Sequence, residues 1–101
     1  MTRWTDDWAP GASTDYLEAL QHYADIDPRL AVDLQRRVDD AIQLLCRFPA
    51  SAATISGGAR RKLIGRFPYG IIYRELPEIK QLRVLAFAHL ERRPGYWVER
   101  R

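Results

Sequence analysis

RRKLIGRFPYGIIYREL at residues 60–76, followed by QLRVLAFAH at residues 81–89, decides the fold. Both runs are rich in β-branched and aromatic side chains, and they are broken at Phe67-Pro68 and at Pro77-Glu78. Such runs between turn signals read as strands. RRKLIGR, YGIIYREL and QLRVLAFAH with short connections make an antiparallel meander. Upstream of Arg60 the period is helical. Leu30, Leu34, Val38, Ala41, Ile42 and Leu45 form one stripe, opposite a face carrying Asp33, Arg36, Arg37 and Asp40. Asp33–Arg37 and Arg36–Asp40 have i,i+4 spacing, where a pair contributes only ~0.2–0.5 kcal/mol.

A second amphipathic segment precedes this one, with Tyr16, Leu20 and Tyr23 on one face and Leu17 and Ala24 beside them. Ser13, Thr14 and Asp15 are capping types, and Asp15 with Glu18 has the spacing of a capping box, so the helix is expected to start there. Asp27 suits an N-cap and Pro28 a first helical position, while Pro49 stops the second helix near Phe48. Two helices with almost no loop between them form an antiparallel hairpin. Neither layer buries its apolar side alone, so the expected fold is α+β, a helical hairpin on one face of an antiparallel sheet of three to four strands. ASAATISGGA, residues 50–59, reads as a loop. Residues 1–11 are poorly patterned, and residues 94–101 form a tail after Pro94-Gly95.

A length of 101 residues suits one domain, residues 1–101, with a core large enough to stand without disulfides. Cys46 is the only cysteine, which leaves no disulfide and no cysteine cluster for zinc, so no metal or cofactor is expected. MTRWTDDWAP lacks the apolar run of a signal peptide, and no stretch is long enough to span a bilayer, so the expected location is the cytoplasm. The net charge of +3 is unevenly placed. Residues 1–59 hold 5 basic and 9 acidic side chains, whereas residues 60–101 hold 11 and 4. The basic half suits phosphate or an acidic partner, or is simply a solvated sheet edge.

Taken together, these pieces resemble the RelE/ParE toxin superfamily. The resemblance rests on Arg61, on Phe67, Pro68, Tyr69, Ile71, Tyr73 and Arg74 of the "FPY.I.Y" strand, and on His89, Arg92, Pro94, Tyr96 and Trp97 of the "H..R.P..W" ending. Asp15 with Ala19, and Phe48-Pro49, fit the same pattern upstream, and the likeness spans about residues 12–98. Two positions depart from it. WTDDWAPG is a poor match to the opening strand, and Leu90-Glu91 replaces a small turn, setting an acid beside the basic cluster.

The resemblance implies the toxin half of a type II toxin–antitoxin pair that inhibits bacterial growth and stabilises plasmids. It implies a flexible antitoxin tail as partner, in a homodimer or a toxin–antitoxin hetero-oligomer. In the ParE-like branch, which the "FPY.I.Y" and "H..R" pieces favour, the toxin poisons DNA gyrase by binding and needs no catalytic residue. In the RelE-like alternative it is an endoribonuclease acting on messenger RNA in the ribosome. His89 or Tyr96 would then move protons, and Arg61, Lys62, Arg66, Arg74, Arg92 and Arg93 would hold phosphate or the target. Blander roles compete. His89 suits a backbone hydrogen bond, Tyr69 and Tyr73 suit the core, Arg92-Arg93 a solvated turn, and Trp97 a contact of the tail with the sheet. A non-toxic nucleic-acid-binding module, or a decayed toxin, is the remaining alternative.

Overall fold

The computed structural model describes residues 3–100. Strand β1 (Thr5–Trp8) leads into helix α1 (Pro10–Ile26) and helix α2 (Pro28–Arg47); β2 (Ala53–Thr54), β3 (Arg60–Ile64), β4 (Tyr69–Leu76) and β5 (Gln81–His89) follow. The hairpin lies on one face of a five-stranded sheet of order β1-β5-β4-β3-β2. The expected meander is β3-β4-β5, antiparallel throughout. Two edge strands enlarge it beyond the expected three to four. The two-residue β2 lies in the segment read as a loop, and β1 pairs parallel to β5, which makes the sheet mixed. Strand β1 eluded its composition because it is short and acidic; its pairing with Gln81–Val84 supplies what propensity does not. Residues 1, 2 and 101 of the expected terminal segments lie outside the described residues.

The expected cap at Ser13–Asp15 is corrected by the structure. Helix α1 begins at Pro10, with Ala9 as N-cap and no side-chain cap. The Ala9 N–H donates to Val84 O, and its carbonyl accepts from Ala12 and Ser13, so the end of β1 already places the first turn. Asp15 therefore sits one turn inside the helix, 8% exposed. Helix α2 starts as expected, the Asp27 side chain accepting from Arg29 N at 2.9 Å. Asp33–Arg37 forms at 3.3 Å, whereas Arg36 and Asp40 are exposed and form no pair.

The main core lies between hairpin and sheet. Leu34, Val38 and Leu45 of α2 meet Ile71, Tyr73, Leu82, Val84 and Phe87. Tyr73 is fully buried, its hydroxyl donating to Pro49 O at 2.6 Å, and Tyr69 stacks on Phe87 with centroids 4.8 Å apart. Cys46 is a buried core residue. A bulge between Ile72 and Tyr73 shifts the register with β5, pairing Ile72 with Ala86 and Tyr73 with Val84. On the other face of the sheet a smaller cluster, Ala59, Ile72, Leu85, Ala86 and Ala88, is covered by Tyr96 and Trp97. Among the described residues no helix is long and apolar enough to cross a membrane.

Candidate functional site

Strand alternation separates the candidate basic residues. Arg61 and Lys62 are neighbours on β3 and so point to opposite faces. Lys62 lines a groove beside Arg37, Asp40 and Leu44 of α2. Arg61 lies across Gly70, where a Cβ would approach the Arg61 stem to 3.0 Å. Arg66 sits in the β3–β4 turn at φ +76° and reaches Asp33 of α2 at 2.5 Å, tying the turn to the hairpin. Arg74 stands opposite Arg83 in register, two like charges side by side. Asp7, opposite Arg83 on β1, pairs with it. Arg74 is exposed and makes no ion pair among the described residues, its guanidinium resting by the Gly57-Gly58 turn.

His89, Arg92 and Tyr96 do come together, around Asp15. A cleft of about 130 Å³ at the end of β5 is lined by Asp15, Glu18, Tyr69, Phe87, His89 and Arg92. His89 Nδ1 accepts from Glu91 N at 3.1 Å, so the neutral ring carries its proton on Nε2, and the ring meets Tyr69 edge-on at 5.1 Å. Arg92 lies 3.6 Å above the centre of the Tyr96 ring and 3.6 Å from Asp15 Oδ1. The Tyr96 hydroxyl donates to Asp15 Oδ2 at 3.3 Å. Burial and then the Asp15 charge push its pKa up to about 12, so the phenol stays protonated at neutral pH with its proton engaged by Asp15. Arg93 is exposed and makes no ion pair among the described residues.

Asp15 organises this cluster, and its role is absent from the sequence reading. It also accepts from Phe87 N and from Arg100. The available signal was its spacing with Ala12 and Ala19, which sets it on the buried stripe of α1. The aromatics offer no open stacking platform: Phe67 and Tyr73 are buried and Tyr69 is packed on Phe87. A separate groove of about 800 Å³ runs between β1 and the hairpin, with Trp4, Trp8, Tyr16, Leu17, Val38 and Ile42 among its lining. The Tyr16 hydroxyl is buried there without a hydrogen-bond partner among the described residues. Among the described residues no group of His, Cys, Asp and Glu side chains is arranged to hold a metal ion.

A helical hairpin on a sheet whose opening strand runs parallel beside the last is the RelE/ParE-like α+β fold. Among solved structures the chain is similar to one described as the chromosomal ParDE TA system from P. aeruginosa. The TM-score is 0.72 at 18% identity, over 88% of this chain and 97% of that one. At that identity the likeness shows the fold. No family model matches the chain, and no curated protein does.

Proposed function

We propose that the chain is the toxin of a type II toxin–antitoxin module and acts in the ParE-like way, by binding DNA gyrase rather than by cutting RNA. The fold likeness to a ParDE system supports the toxin reading. The observation that favours binding over cleavage is the state of Tyr96, whose hydroxyl is already donated to Asp15 and whose pKa is pushed up to about 12. A general acid or base works best with a pKa near the operating pH. Arg61 and Lys62 on opposite faces, and Arg66 paired with Asp33, also leave no single cradle for a phosphate. The surfaces offered to gyrase are Arg92 and Arg93 at the end of β5 and the exposed Arg74.

The antitoxin partner would lay apolar anchors of a flexible tail into the groove between β1 and the hairpin. Growth arrest on induction, trapped gyrase–DNA breaks and uncut messages are the expected outcome. A specific observation keeps the RelE-like reading in view, since His89 and Arg92 line one cleft. Codon-spaced message cuts that vanish in His89→Gln would establish that reading instead. Neither breaks nor cuts would leave a decayed toxin or a nucleic-acid-binding module.

A further inference from the structure

Strand β5 is nine residues long, yet β1 pairs only with Gln81–Val84. Beyond that point the Leu85 carbonyl and the Phe87 N–H meet no strand on the β1 side, and side chains take its place. Arg100 Nη1 donates to Leu85 O at 3.1 Å, and Phe87 N donates to Asp15 Oδ2 at 3.2 Å. The same guanidinium grips the carboxylate from Nη1 to Oδ2 at 2.7 Å and from Nη2 to Oδ1 at 3.4 Å. This two-pronged fit is available to a guanidinium and not to an ammonium. The Tyr96 ring closes one side, 5.0 Å from Arg100 Cζ.

The socket is built by the body of the fold. The Asp15 side chain is 6% exposed and that of Arg100 24%, so the carboxylate belongs to the interior and the guanidinium enters from outside. Gly11 supplies the opening, because a Cβ there would lie 2.5 Å from Arg100 Nε. The tail that delivers Arg100 is weakly attached. Among the described residues 93–100 the backbone hydrogen bonds of the tail, Val98 N to Gly95 O and Arg100 N to Trp97 O, stay within it. Side chains alone hold that stretch to the sheet.

We propose that Gly11, Asp15 and Leu85 O form a guanidinium-binding site. The chain's own Arg100 closes it, and an arginine side chain of a partner protein takes it when the tail lifts. The test is rescue of the purified full chain by a small guanidinium. In Arg100→Ala, exchange of the Phe87 amide should accelerate roughly ten- to a hundred-fold, the scale of losing hydrogen bonds to a charged group. Millimolar ethylguanidinium should restore protection and ethylammonium should not. Adding Gly11→Ala to Arg100→Ala should weaken the rescue. Unchanged Phe87 exchange in Arg100→Ala, no effect of ethylguanidinium, or equal rescue by ethylammonium would each overturn the site. Should Arg100→Ala fold poorly, Arg100→Lys takes its place: it keeps the charge, lacks the fork, and is expected to exchange fast. These measurements involve neither gyrase nor antitoxin, so their failure is distinct from failure of the toxin reading.

Discussion

Asp15 on the first helix and Arg100 in the tail are 85 residues apart in the chain, and their side chains meet at 2.7 Å over an uncovered stretch of the last strand. The carboxylate also takes the Phe87 N–H and the Tyr96 hydroxyl. One buried acid therefore joins the helix, the sheet and the segment carrying the candidate site.

Replacing Asp15 should be costly for that reason. Asp15→Asn keeps the shape but loses the charge that the arginines face, and half of its amide cannot accept. A loss of about 2 kcal/mol is expected, the scale for leaving hydrogen bonds to a charged group unmade. Chemical denaturation of wild type and variant measures it. A change below ~0.5 kcal/mol would mean that solvent already satisfies the tail.

Tyr73 and the partly buried Tyr16 should respond in opposite directions to loss of the hydroxyl. Tyr73→Phe strips a partner from Pro49 O and should destabilise by about 1–2 kcal/mol. Tyr16→Phe removes a buried hydroxyl that has no partner among the described residues, so it should be neutral or stabilising by up to ~1 kcal/mol. Paired thermal melts decide the sign. Equal losses in both variants would show that a partner reaches the Tyr16 hydroxyl.

Alkaline stability follows from Tyr16 and Tyr96, whose folded pKa values both rise from 10.0 to about 12, burial being the first cause in each. Folding favours the neutral phenols, so their contribution is complete below pH 10. Above it the unfolded chain releases these protons first, and stability falls until about pH 12. Urea midpoints should be insensitive to these two groups near neutrality and drop across that window, with a shallower drop in Tyr16→Phe. An ultraviolet titration that ionises every tyrosine together near pH 10 would contradict this.

Arg92 and Arg93 should separate structure from recognition. Arg92 rests on Tyr96 and approaches Asp15 while half exposed, so Arg92→Ala should cost at most ~1 kcal/mol. Arg93 is exposed and makes no ion pair among the described residues, and Arg93→Ala should leave the melting temperature unchanged. If this turn contacts gyrase, both variants should weaken binding to the purified enzyme. Unaltered binding in the double variant would move the contact elsewhere.

Periodicity alone determined the helical hairpin, the three long strands and the layer between them, because burying an apolar stripe is a local demand that each segment states in its own residues. Tyr73 in the core and Trp97 on the sheet were also legible in the sequence. Strand β1 was not, since four residues with two acids become a strand only through pairing with β5. Sequence chemistry also misplaced Asp15. Its capping spacing is genuine, but Ala9 and Pro10 had already started the helix, and rotation along α1 turned the carboxylate inward. The basic half was visible in composition, but its division between two faces came from strand alternation and register. The Asp15–Arg100 contact came from neither. It depends on where β1 stops along β5, a long-range geometry that no window of residues contains.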